Sequence, residues 1–419
     1  MKNLQENNIK IEHLLIVGGV VAFAHAAMMI VVPSVPAYVD SLGGTAIMVG
    51  ATFTAYSLAR LLMNIPSGVM AERFGRKIIL VAGALGVGLF GTLSGFAPNL
   101  FLLLLYRFLM GVFSSMAVTT GSVVATDLTN VSNRGRVLSL IHGWHLILGI
   151  ASPAIGGFLA DSFGVRFPFL ASGFGVAILG VWALLRLPET RPKLQASAHA
   201  SNEVIAGGNT LKKAAGLLQE PSFLLVSLVG FLQFFTRAGA GHSLIPIMAF
   251  QVLEISPGQL GIMFSIAAIL HGGVLYPAGW AADKFGRKAV IVPSGIGTAI
   301  GLAMIPFAQS IPLFIFCFLV LQTSTGFGGQ APVAYVGDMA DSKLRGLSFG
   351  VWRTFGDFAG VTAPLVMTGL LQIFSFHAGF YFNSILALLV TATFAKFAVE
   401  TVNKKRSEAP IKATLGEDG

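Results

Sequence analysis

Apolar residues run almost unbroken along this chain, and the polar ones act as punctuation. Twelve apolar stretches, roughly 14–39, 46–70, 78–97, 99–126, 136–159, 166–187, 222–250, 258–281, 289–308, 312–338, 346–371 and 377–398, are separated by short turns. Each is close to or above the twenty or so residues with which an α-helix crosses a hydrocarbon layer of about 30 Å. No stretch alternates apolar and polar residues at period two, so a membrane β-barrel is not expected. The pattern predicts an all-α membrane protein with twelve transmembrane helices. A polar lead occupies residues 1–13. Residues 188–220 are polar and charged, contain Pro192, Gly207 and Gly208, and read as a linker. They divide the chain into six-helix bundles at 14–187 and 221–398, with a polar tail at 399–419. The first stretch follows Lys2 and Lys10 and contains Ala22-Phe23-Ala24, which resembles a signal-cleavage site. It stays apolar to Val39, too long for a signal core, and is expected to be a retained helix.

Composition agrees. Charged residues make up 11% of the 419, where soluble domains carry about 25%. The positions of the 27 lysines and arginines orient the helices: 22 fall in turns and tails on one side, Arg166 alone on the other, and four inside spans. That bias places both termini in the cytoplasm. The net charge of +9 then reports orientation and contact with an anionic lipid bilayer, not nucleic-acid binding. The one cysteine, Cys317, lies inside a span, so neither a disulfide framework nor a cysteine metal site is expected.

The second half repeats the first at a spacing of 211 residues. Gly68-Val69-Met70-Ala71-Glu72-Arg73-Phe74-Gly75-Arg76-Lys77 returns as Gly279-Trp280-Ala281-Ala282-Asp283-Lys284-Phe285-Gly286-Arg287-Lys288. Pro66, Asp127, Arg134-Gly135 and Pro153 return as Pro277, Asp338, Arg345-Gly346 and Pro364. Each basic stretch is a turn between two apolar runs, where glycine permits close backbone approach.

The two basic stretches resemble motif A of the major facilitator superfamily, roughly G-x-L-x-D-R-x-G-R-K. Arg107 and Gly111 resemble its fourth-helix motif. Ser152-Pro153-Ala154-Ile155-Gly156-Gly157 resembles a remnant of its antiporter motif, with Ser152 in place of a glycine. With Pro33-x-x-Pro36, the overall look is that of the twelve-helix drug:proton antiporter branch. The resemblance implies two six-helix bundles related by a pseudo-two-fold, working by alternating access. It implies a conformational lock built from Gly68, Glu72, Arg73, Gly75 and Arg76 and from Gly279, Asp283, Gly286 and Arg287. In that lock Arg76 and Arg287 pair with Asp127 and Asp338. Glu72 departs from the usual aspartate by one methylene.

Ionisable groups inside spans are costly and are functional candidates. Arg60, Arg107, Arg237 and Arg353 lie in spans, against one clear acid there, Asp357. Guanidinium stays charged and grips carboxylate or phosphate bidentately. The excess of cations points to an anionic or amphipathic substrate, with Tyr56, Trp144 and Trp352 as candidate pocket aromatics. Each arginine also has a plainer role open to it: Arg353 and Asp357 are four apart and neutralise each other, Arg60 snorkels, and Arg107 packs. Asp40, His142, His145 and Asp357 are the proton-coupling candidates, and His25, His242 and His271 also fall in spans. No catalytic constellation, ATP-binding motif or metal triad is present, so no enzyme activity, cofactor or metal is expected. Gly86-Val87-Gly88-Leu89-Phe90-Gly91 matches G-x-G-x-x-G formally, but mid-span it reads as helix packing.

The expected function is secondary active transport of a small organic molecule, in the direction of proton-coupled efflux, by a monomer in a bacterial inner (plasma) membrane. Uptake of a small organic anion is the alternative. A non-transporting receptor on the same fold is the reading from a different class.

Overall fold

A computed structural model describes residues 11–129, 134–190, 214–340 and 344–401. The central part of the expected linker and most of the polar tail lie outside the described residues. Among the described residues the chain is helical, without strands: α1 (Ile11–Met29), α2 (Val35–Ser41), α3 (Ala46–Phe74), α4 (Arg76–Gly95), α5 (Leu100–Asp127), α6 (Arg134–Phe163), α7 (Phe167–Arg186), α8 (Pro221–Phe235), a π-helix (Thr236–Leu244), α9 (Ile245–Gln251), α10 (Pro257–Phe285), α11 (Lys288–Met304), a 3-10 turn (Ile305–Phe307), α12 (Ile311–Gly328), α13 (Ala331–Met339), α14 (Arg345–Ile373) and α15 (Phe376–Phe397). Twelve spans are long and apolar enough to cross a membrane, as the hydropathy pattern predicts.

Several spans differ from simple rods. The first breaks after Met29 and resumes at Val35, because Pro33 and Pro36 lack the amide donors that a continuous helix needs. The seventh passes from α8 through the π-helix into α9. The tenth divides before Pro332, into α12 and α13. The helices beside the basic turns also run further than the apolar pattern suggests. Glu72 and Arg73 are helical in α3, and Asp283 and Lys284 in α10. Gly68 and Gly279 are therefore helix-interior residues, and a side chain added at either meets nothing within 4 Å. The close approach expected there occurs seven residues later, about two turns, at Gly75 and Gly286.

The chain forms two compact units. The N-terminal unit comprises Met1–Gln195 together with Gly241–Ile266 and Gly360–Ile373. Its core contains Tyr38, Phe53, Leu80, Leu103 and Phe169. In it α4 is the close-packed element: a side chain at Gly88 would meet the Ala177 backbone at 3.0 Å, and one at Gly91 would lie 3.0 Å from Gly173 Cα. Gly88 and Gly91 of the formal G-x-G-x-x-G thus form a small-residue seam between α4 and α7, while Gly86 packs against Phe113 of α5. The C-terminal unit comprises Ala196–Ala240, Ala267–Ala359 and Phe374–Gly419, with a core around Val229, Ala299, Tyr335, Trp352 and Phe394.

Candidate functional site

At the basic turns the local geometry follows from one glycine in each. Gly75 ends α3 at φ 103° and Gly286 ends α10 at φ 106°, a left-handed conformation that side chains resist. The next helix therefore starts at once, and its first amides need acceptors. Arg76 N and Lys77 N donate to Glu189 Oε1 and Oε2 at 2.9 and 3.1 Å. Arg287 N and Lys288 N donate to Glu400 Oε1 and Oε2 at 2.9 and 3.0 Å. A carboxylate is favourable at the positive end of a helix.

The side chains complete each cluster. Arg76 pairs with Asp127, which also accepts from Thr190 at 3.2 Å. Arg287 donates from Nε to Asp338 at 3.1 Å and from Nη1 to Asp283 at 2.5 Å, and Thr401 donates to Asp338 at 3.3 Å. Partial burial pushes the Arg287 pKa down, but the hydrogen bonds and charges of Asp283 and Asp338 outweigh it and raise the pKa overall. Lys288 Nζ closes the C-terminus of α15 by donating to the Ala395 and Ala398 carbonyls at 2.8 and 2.7 Å. Glu72 and Arg73 are exposed beside the first cluster. The motif partners Arg76–Asp127 and Arg287–Asp338 were legible in the sequence. Glu189, Glu400, Thr190 and Thr401 were missed, although each pair stands at the same 211-residue spacing.

These clusters carry a first prediction. Gly75→Ala places a Cβ 2.7 Å from Glu189 Oε2 on a backbone with positive φ. It should destabilise the purified protein by about 1–2 kcal/mol, seen as a lower unfolding temperature in detergent. Gly68→Ala, in open space, should be neutral or slightly stabilising.

A second set of paired contacts lies within the N-terminal unit, at the ends of α3 and α10 remote from the basic turns. Here α3 meets α14 and α10 meets α6, and the two meetings match residue for residue at the 211 spacing. A side chain at Gly50 would lie 2.6 Å from the Pro364 carbonyl oxygen, and one at Gly261 would lie 2.2 Å from that of Pro153. Thr54 donates to the Val361 carbonyl at 2.8 Å, and Ser265 to that of Ile150 at 2.6 Å. At the helix starts, Thr45 and Ile47 N donate to Gln372 Oε1 at 3.2 and 3.3 Å, while Ser256 donates to Asp161 Oδ2 at 2.7 Å. Pro364 and Pro153 lie inside α14 and α6, where each removes the helical hydrogen bond to the carbonyl of residue i−4.

The intramembrane ionisable residues do not form one constellation. In the N-terminal unit Arg107 is 1% exposed. Its guanidinium sits 4.7 Å from the Phe169 ring centroid and donates to Met110 Sδ at 3.6 Å. It is a core residue here and not part of an accessible surface, which favours the packing role. Tyr56 is buried and shares a hydrogen bond of 2.7 Å with Ser114, and Arg60 lies 5.8 Å from its ring centroid. Trp144 is exposed, and Asp40 is exposed at the end of α2. The His142 side chain lies outside the described residues. His145 packs on His25.

In the C-terminal unit Arg353 pairs with Asp357 at 3.4 Å and lies 5.2 Å from the Phe234 ring centroid, so the two neutralise each other as their spacing allows. Trp352 is buried and meets Phe234 edge-on. Arg237 is the second residue of the π-helix, is exposed, and has no ion-pair partner among the described residues. It is close enough to Arg353 for the two cations to repel. π-Helical segments recur at functional sites.

The family model described as Major Facilitator Superfamily matches residues 17–239 and again 226–415. A Citrobacter koseri protein named multidrug resistance protein MdtG is 26% identical over 370 residues, covering 85% of this chain and 87% of its own. The Klebsiella pneumoniae protein of that name is 26% identical, covering 85% and 86%. Among solved structures, a D-xylose–proton symporter superposes with a TM-score of 0.73 at 17% identity, covering 93% of this chain and 98% of its own. A bacterial homologue of the human lysosomal transporter Spinster gives 0.76 at 14%, covering 93% and 97%. The twelve spans, the duplicated basic turns and a family match across nearly the whole chain lead to one conclusion: this protein is a secondary transporter of the Major Facilitator Superfamily.

Proposed function

We propose that the protein exports a small amphipathic molecule carrying an acidic group, in exchange for protons, as a monomer in a bacterial inner membrane. Both termini and the basic turns face the cytoplasm. The observation that carries the substrate class is Arg237: an exposed guanidinium in a span, without an acid partner among the described residues and repelled by Arg353. An uncompensated cation at that depth costs about 3 kcal/mol even on the mild insertion scale, and a bound anion offsets it. The names of the relatives support export. The two halves, 14–187 and 221–398, rock about the substrate, and the Arg76–Asp127 and Arg287–Asp338 clusters hold the cytoplasmic side. Flux into everted vesicles under an imposed pH gradient tests direction and charge together, using fluorescein as the anion and ethidium as the cation. Accumulation of fluorescein driven by interior acid is expected. Preference for ethidium, or accumulation only in right-side-out vesicles, overturns the reading.

The cytoplasmic clusters give a second prediction. Asp127→Asn removes the charge on Arg76's partner while keeping the acceptor for Thr190. It should reduce transport several-fold and increase the distance between spin labels on the two halves at the cytoplasmic side. Unchanged label distances with normal transport would reject the lock.

A further inference from the structure

The N-terminal unit brings the proton-coupling candidate His145 into contact with a second imidazole, that of His25. His25 on α1 and His145 on α6 lie with ring centroids 4.6 Å apart and planes inclined by 37°. Both are half-buried. The helices that carry them pack against each other, and α1 also packs on α4, α5 and α7.

The titratable groups on those elements are few at this depth. Between their charged ends, α4 and α7 carry none. On α5, Tyr106 packs on Phe90, and Arg107 stands against Phe169. On α6, His142 is one turn from His145. The acids are all at helix ends and engaged there: Glu12 with Arg186, Asp127 with Arg76 and Asp161 with Ser256. His25 lies about 20 Å along α1 from Glu12, at 1.5 Å per residue. α10, which meets α6 at Pro153 and Ile150, carries His271 and Tyr276 and, at its end by the basic turn, Asp283 and Lys284, so no carboxylate occupies the middle of any helix packed on these two.

Imidazole is the side chain whose ordinary titration falls near neutrality. Two rings in contact resist both being cationic, so their protons are bound in two separated steps. The position is suited to coupling. Ile150 and Pro153, whose carbonyls accept from Ser265 and press on Gly261, lie only five and eight residues beyond His145 on the same helix. A charge that alters the α1–α6 seam therefore bears directly on the helix that makes the remote contact with α10.

We propose that His25 and His145 form one proton-binding site shared between two rings, and that the proton bound there is the one exchanged for substrate. The second half of this statement rests on the export reading above; the first does not. Hydrogen–deuterium exchange at the imidazole C2 position, followed by mass spectrometry on the full-length protein in detergent across pH 5 to 9, reads each histidine separately. His25 and His145 should titrate in two steps at least about one pH unit apart. His25→Gln should reduce the titration of His145 to a single step, and His145→Gln should do the same for His25. The exposed His377 should be unaffected in both variants, and His377→Gln should leave the pair unchanged.

In proteoliposomes, His25→Gln and His145→Gln should each lose at least tenfold of gradient-driven fluorescein accumulation while retaining fluorescein exchange at equal pH, which also reports that they are folded. A single step shared by both rings at ordinary histidine pH overturns the shared site. Gradient-driven accumulation that survives His25→Gln with an unchanged pH profile overturns the coupling role. A two-step titration with no gradient-driven flux in the wild type overturns the coupling and the export reading, and leaves the shared site standing.

Discussion

Gly261→Val is expected to force apart the ends of α6 and α10 that lie remote from the basic turns. A Cβ at Gly261 would stand 2.2 Å from the Pro153 carbonyl oxygen and 2.9 Å from its carbon, and both are backbone atoms that no rotamer change can move. Overpacking of this kind costs about 1–3 kcal/mol. If the helices separate instead of compressing, the Ser265–Ile150 and Ser256–Asp161 hydrogen bonds break as well. Each factor of ten in the ratio of closed to open forms corresponds to about 1.4 kcal/mol, so the upper end of that cost shifts the ratio by about a hundredfold. Spin labels at the exposed positions Phe163 and Val252 report it as a longer distance distribution. Gly50→Val should act likewise on α3 and α14. Gly273→Val, in open space on the same α10, should leave the distance unchanged. An unchanged distribution in Gly261→Val would show that these contacts do not hold the two helices together.

Arg237→Gln should weaken binding of the anionic probe by more than tenfold, about 1.4 kcal/mol or more, and leave expression and the unfolding temperature nearly unchanged. The side chain is exposed and forms no ion pair among the described residues, so removing its charge strands no buried partner and relieves repulsion with Arg353. Arg237→Lys should recover only part of the affinity, because an ammonium cannot present the two parallel donors of a guanidinium. Arg353→Gln, by contrast, removes an ion pair from Asp357. It should lower stability as well as binding, which separates a structural ion pair from a substrate contact. Equilibrium binding of fluorescein and ethidium to the three variants and the wild type checks both statements. Tighter ethidium than fluorescein binding by the wild type would return the assignment to an acid, Asp40 or Asp357, and to a cationic substrate.

By itself the sequence determined the number of spans, the positions of the basic turns and the internal repeat. Hydropathy, glycine and proline placement and charge are properties of a single segment in its solvent, and duplication can be read without coordinates. It also determined the pairs Arg76–Asp127, Arg287–Asp338 and Arg353–Asp357, two through a motif and one through i,i+4 spacing on one helix. Only the tertiary structure decided which helix meets which. An apolar helix in lipid carries little periodic contrast between its lipid and protein faces, so nothing in α3 or α10 announces that it will press on the kinked carbonyls of α14 or α6. The capping carboxylates Glu189 and Glu400 were hidden for a related reason, since each acts on amides more than a hundred residues away in sequence. The same holds for the core burial of Arg107, the π-helix that contains Arg237 and the His25–His145 contact. In each, the side chain's role is set by a neighbour that the sequence places far from it and the fold places beside it.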